Sequence, residues 1–79
     1  MKAFLEYIAR SLVDHPDAVE VDVEEGEDEV TLTLVVDERD MGRVIGRDGR
    51  IANAIRSLLK VMAARDGRHV ELEIVSDAE

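Results

Sequence analysis

The chain has 79 residues, no cysteine, 46% hydrophobic residues and a net charge of −9. That length predicts a single domain with one modest core, the apolar content argues against a disordered chain, and the missing cysteine excludes disulfides and thiolate metal sites. There is no long apolar run and no signal-peptide pattern, which predicts a cytoplasmic location without membrane attachment.

In chain order, Phe4, Leu5, Ile8 and Leu12 recur at helical spacing and predict a helix over residues 2–13. Pro16 stops it and disfavours helical geometry at His15. Phe4 and Tyr7, the only aromatics, are expected to pack on that helix face. Val19, Val21 and Val23 alternate with acidic residues and predict a strand over 18–24. Glu25-Gly26-Glu27-Asp28 is a solvated acidic turn, since its spacing fits no calcium loop. Val30, Leu32, Leu34 and Val36 predict a second strand over 29–36, completing a hairpin. Asp37 is a candidate N-cap for a short helix over 38–45, where Gly42 would allow close helix packing. The Gly46-Arg47-Asp48-Gly49 loop follows. A longer helix then runs from Arg50 to Arg65, with Ile51, Ile55, Leu58, Leu59 and Met62 as its buried stripe. Gly67 is placed to be its C′ residue. Val70, Leu72 and Ile74 predict a last strand over 69–75, leaving 76–79 as a frayed tail.

The predicted fold is α+β, in the order α-β-β-α-α-β. It comprises a three-stranded sheet with three helices packed on one face. The open sheet face would carry Glu20, Asp22, Glu24, Glu71 and Glu73. The charge is unevenly spread. Residues 41–65 hold 6 basic and 1 acidic residue, net +5, against net −10 for residues 1–40 and net −4 for 66–79. A polyanion would therefore dock on the helix–loop–helix stretch, with modest affinity and strong salt dependence.

The loop joins two helices and lacks a P-loop's glycine spacing and Lys-Ser/Thr pair. His15 and His69 stand alone, so neither a metal site nor a nucleophile constellation is expected. No carboxylate pair suggests acid–base chemistry, and no cofactor or enzymatic activity is expected. What remains is a turn with two glycines at the entry to a basic helix. Free N–H groups and the positive end of the helix dipole there would favour a phosphate.

Val44-Ile45-Gly46-Arg47-Asp48-Gly49, set in this element order, resembles the GXXG loop of a KH domain, here of the type II, bacterial variety. With Asp14-His15-Pro16-Asp17, Asp40-Met41-Gly42-Arg43 and Gly49-Arg50-Ile51-Ala52, the chain looks most like the small single-domain KH proteins of the KhpA family over residues 1–75. The resemblance implies binding of about four nucleotides of single-stranded RNA. Gly46, Arg47, Asp48 and Gly49 would meet the RNA backbone, flanked by Arg43 and Arg50. Val44, Ile45, Ile51 and Ala52 would form an apolar floor for the bases, and polar groups of the strand over 30–36 would meet the base edges. Arg56 and Lys60 serve equally well as RNA contacts or as solvated helix surface. Asp48 departs from the basic or neutral residue common in the family. A like-charge contact at ~4 Å costs on the order of 1 kcal/mol in water. Ala52 stands where many KH domains carry isoleucine.

The function implied is a low-specificity RNA binder, as a post-transcriptional regulator or RNA chaperone. On that reading, Gly46→Asp with Gly49→Asp should weaken RNA binding and leave the fold intact. The alternative is a protein-interaction module with weak or lost RNA binding. The resemblance also implies a homodimer, or a heterodimer with a larger KH-containing protein of the KhpB (Jag) kind.

Overall fold

The computed structural model describes residues 1–78. Its elements are α1 (Lys2–Leu12), β1 (Glu20–Glu25), β2 (Glu29–Val36), α2 (Met41–Ile45), α3 (Arg50–Arg65) and β3 (His69–Ser76), with 3₁₀ turns at Pro16–Ala18, Glu38–Asp40 and Arg47–Gly49. The sheet order is β1-β2-β3, with β1 antiparallel to β2 and β2 parallel to β3. This is the expected α+β arrangement. The hairpin places β1 on one side of β2, so the crossover through α2 and α3 delivers β3 to the other side.

Strict alternation decides the two faces of the sheet. Val21 pairs with Leu34 and Val30 with Val70, so the apolar sets of all the strands fall on one side. Val30, Leu32, Leu34 and Val36 are fully buried there against Leu5 and Ala9 of α1, Val44 of α2, and Ile55 and Leu59 of α3. Burial of each such valine, leucine or isoleucine side chain contributes about 1.5–3 kcal/mol. The other face carries Glu20, Asp22, Glu24, Glu71 and Glu73 exposed, as expected, around half-buried Thr31 and Thr33.

Several expectations shift. Pro16 opens a 3₁₀ turn closed by Ala18 N–H to His15 C=O and Val19 N–H to Pro16 C=O, so β1 starts at Glu20 and not at residue 18. The helix expected over 38–45 divides into a 3₁₀ turn and α2. Asp37 does cap, accepting the Arg39 N–H, but it caps the 3₁₀ turn. Ser76 belongs to β3, and the Asp77 N–H bonds Val36 C=O at 2.8 Å, so the expected tail is tied down to residue 77. Glu79, the last residue of that tail, lies outside the described residues.

Val23, toward the hairpin end of the edge strand β1, is exposed, where Val21 on the same strand is buried. Tyr7 is 72% exposed and does not pack. The buried line of α3 runs through Ala52, Ile55, Leu59 and Ala63. A helix turns 100° per residue, so Leu58, next to Leu59, points outward. Gly67 ends α3 as expected, at φ +67°. Its N–H reaches Ala64 C=O and the Arg68 N–H reaches Ala63 C=O, the paired bonds of a Schellman close.

Candidate nucleic-acid interface

The loop between α2 and α3 is built from unusual backbone. Gly46 sits at φ +76°, ψ 176°, Asp48 at φ 56°, ψ 23°, and Gly49 at φ +76°, ψ 14°. Gly46 occupies a region that residues with a Cβ essentially do not enter, and a Cβ there would lie 2.7 Å from Ile51 Cγ1. Glycine at 46 is therefore required by the fold itself. Gly49 is left-handed but has room, with Asn53 Nδ2 at 3.8 Å from where a Cβ would stand. Asp48 also takes a left-handed conformation, which Asp and Asn tolerate better than most residues. This gives a backbone reason for the acidic residue in the loop.

The turn closes through Gly49 N–H to Gly46 C=O and Arg50 N–H to Arg47 C=O. No acceptor among the described residues takes the N–H of Arg47 or Asp48. Both residues are exposed, as are Arg43 and Arg50 on either side. The loop thus offers free backbone donors and three guanidinium groups at the start of α3, where the helix dipole adds positive potential. Arg43 has a partner already, with Nη2 2.9 Å from Asp14 Oδ2.

A cleft lies between α3 and β3. It is about 170 Å³ where Arg56, Leu59 and Lys60 face Val70, Glu71 and Leu72. β3 is an edge strand. The His69 N–H bonds Asp28 C=O and the Asp77 N–H bonds Val36 C=O, so odd-numbered residues of β3 face β2. In a parallel pair the alternate residues point away, which leaves the backbone groups of Val70, Leu72 and Ile74 on the free edge. Arg56 reaches that edge, with Nη2 3.4 Å from Leu72 C=O and Nη1 3.4 Å from Asn53 Oδ1.

Comparison with known proteins agrees with this geometry. A sequence model described as KhpA/KhpB, KH domain matches residues 2–74. The chain belongs to the KhpA/KhpB KH-domain family. It is 49% identical over 75 residues to the RNA-binding protein KhpA of Clostridium acetobutylicum, covering 95% of this chain and 100% of that protein. It is 51% identical over 71 residues to the RNA-binding protein KhpA of Borreliella burgdorferi, covering 90% of this chain and 87% of that one. Among solved structures, Era in complex with MgGDPNP and nucleotides 1506–1542 of 16S ribosomal RNA superposes with a TM-score of 0.57 at 22% identity. That match spans 95% of this chain and 29% of the other, and it supports the fold.

Within this KH domain the expected site residues fall into two groups. Gly46, Arg47, Asp48, Gly49, Arg43 and Arg50 gather at the loop. Ile45 and Ile51 are half-buried beside it, while Arg56 and Lys60 line the cleft. Val44 and Ala52 were expected on the apolar floor and are not available there. Val44 is fully buried and Ala52 nearly so, because both point into the core. Nor does the strand over 30–36 offer backbone to base edges. It is the central strand and is paired on both sides, with its polar side chains on the far face. The free edge beside α3 belongs to β3. Gly42 has nothing within 4 Å of a would-be Cβ, so close helix packing is not its role.

Two residues were missed. Asp40 is buried and His15 is bonded to it, where the sequence reading left His15 isolated. No sequence signal marks that pairing, since 25 residues separate the two. Among the described residues, no group of three or more His, Asp or Glu side chains could hold a metal ion, and no helix is long and apolar enough to cross a membrane.

Proposed function

We propose that this chain binds single-stranded RNA at low sequence specificity, with the Gly46–Gly49 loop against the backbone and the bases along the α3–β3 cleft. The observation that carries this reading is the loop itself. Two unpaired N–H groups, at Arg47 and Asp48, open onto solvent between Arg43, Arg47 and Arg50. The names of the KhpA relatives support RNA as the polyanion. Phosphate contacts would supply most of the affinity, and the edge backbone groups of Val70 and Ile74, with the Leu72 N–H, would meet base edges. Ile45 and Ile51 provide the apolar floor. With so few base contacts the protein acts on many RNAs, as a post-transcriptional regulator or RNA chaperone in the cytoplasm.

The test avoids Gly46. Its substitution would disturb the fold through Ile51, so the double glycine-to-aspartate variant cannot separate binding from folding. Arg43→Ala with Arg47→Ala leaves the backbone alone. Fluorescence anisotropy with a short labelled single-stranded RNA should show binding about tenfold weaker, and a log–log salt slope shallower by about 1.4. Equal affinity and equal slope in the folded double variant would refute the reading.

A second reading rests on a separate observation. Leu58 is 50% and Val61 58% exposed on the outer side of α3, away from the cleft. Such a pair fits a contact with a second copy or with a larger KH-containing protein of the KhpB (Jag) kind. Two linked domains would also lengthen the RNA footprint through avidity. Sedimentation of wild type and Val61→Asp distinguishes the cases. A dimer lost in the variant supports self-association, and a wild-type monomer at high concentration excludes it.

A further inference from the structure

α2 is five residues long, and of these only Val44 is buried. A helix that short has little stability of its own, yet it carries Arg43 and ends at Gly46. At its start stands Asp40, 1% exposed and the only buried charged residue among the described residues. Its carboxylate does not cap α2. Oδ1 accepts the Asp14 N–H at 3.2 Å, and Oδ2 accepts the His15 N–H at 2.9 Å. His15 Nδ1 lies 2.9 Å from Oδ2 as well. One buried carboxylate thus ties the chain leaving α1 to the chain entering α2. Asp14, held through its own N–H, in turn places its carboxylate 2.9 Å from Arg43 Nη2.

Building on the RNA-binding reading above, we propose that His15 and Asp40 are positioning residues for the RNA-backbone loop. Their hydrogen bond holds α2, and with it Arg43 and Gly46, in the geometry that meets phosphate, although neither side chain touches RNA. Packing does not explain the bond equally well. The His15 side chain is about a third exposed and stands outside the hydrophobic core cluster, so its removal takes little from the core. The Asp14 and His15 N–H groups would still satisfy the Asp40 carboxylate. What is lost is the third tie between the α1 exit and α2.

The experiment compares wild type, His15→Ala and His15→Asn. Asparagine carries its amide nitrogen at the same number of bonds from Cα as Nδ1, so it can renew the bond to Asp40. Anisotropy with a labelled single-stranded oligouridylate is read together with amide hydrogen exchange along the chain. His15→Ala should bind about fivefold more weakly and exchange faster over residues 41–49 but not in β2. His15→Asn should restore both. Equal RNA affinity in a folded His15→Ala, with wild type binding, overturns the positioning role alone. Wild type failing to bind overturns the RNA-binding reading and this inference with it. If His15→Ala does not fold, His15→Asn is compared with His15→Gln, whose amide reaches the place of Nε2 instead. The inference then stands on weaker binding by the glutamine variant and falls on equal binding.

Discussion

The open face of the sheet and the helix–loop–helix side differ in backbone regularity as much as in charge. The sheet face needs only alternation: Glu20, Asp22, Glu24, Glu71 and Glu73 stand on extended backbone, exposed and solvated. The other side holds three left-handed or otherwise positive-φ residues within four positions, at Gly46, Asp48 and Gly49. Close behind them is a buried carboxylate, and around them are the arginines. Strained backbone and buried polar groups persist only where the surroundings hold them in place. Here they cluster at the proposed RNA contact, and the acidic face carries none of them. The acidic face also repels a polyanion, which on the proposed function would confine RNA to the side of the loop.

The largest effect should come from Gly46→Ala, which puts a Cβ against Ile51 and forces alanine into glycine-only backbone. Urea unfolding should show a loss of about 2–4 kcal/mol. A loss below about 1 kcal/mol would show that the loop is less strained than its dihedrals imply.

The buried carboxylate gives a pH signature. Burial pushes the Asp40 carboxyl upward, but the hydrogen bonds from the His15 ring and from the Asp14 and His15 N–H groups outweigh it, and its pKa lies below the ordinary range. A folded-state pKa lower than the unfolded one stabilises above the unfolded value, about pH 4. That contribution is lost as pH falls through the folded pKa. Melting temperature against pH should therefore drop more steeply below about pH 4 in wild type than in Asp40→Asn. Parallel curves would contradict this.

Asp48→Asn keeps a residue that tolerates the left-handed conformation and removes the negative charge from the loop. RNA affinity at low salt should rise about fivefold, and the gain should shrink as salt is added. The melting temperature should stay close to wild type. No gain at low salt would mean that Asp48 faces away from the phosphates. The smallest effect belongs to the sheet face. Glu24→Gln with Glu73→Gln, both on the open sheet face, should change stability by less than about 0.5 kcal/mol, and RNA affinity by less than Asp48→Asn does. A larger gain than at Asp48 would place the RNA on the wrong side of the sheet.

Much of this contrast can be read in the residues. Alternating valines and leucines mark the strands and their inward faces, because a strand's side chains alternate with a period of two whatever it packs on. Gly67 marks the end of α3, and the spacing of Gly46 and Gly49 marks the loop, because positive φ is a local demand that glycine meets locally. The concentration of Arg43, Arg47 and Arg50 is likewise plain in a chain that is acidic elsewhere. The sequence by itself thus determined the elements, the acidic face and the position of the loop.

Other features depend on which segments meet, and short-range periodicity does not contain that information. Val44 and Ala52 are apolar residues beside the loop, and only the packing of α2 and α3 on the sheet turns them inward, where Ile45 and Ile51 stay half-exposed. Leu58 and Leu59 are alike and adjacent, but the line of contact with the sheet buries only one of them. Gly46 owes its side-chain-free surface to Ile51, a contact made when α3 folds back on the loop. The free edge falls to β3 because the hairpin already occupies one side of β2. Asp40 meets His15 only when the end of α1 and the start of α2 are brought together, and that tie, formed across 25 residues, was decided by the tertiary structure alone.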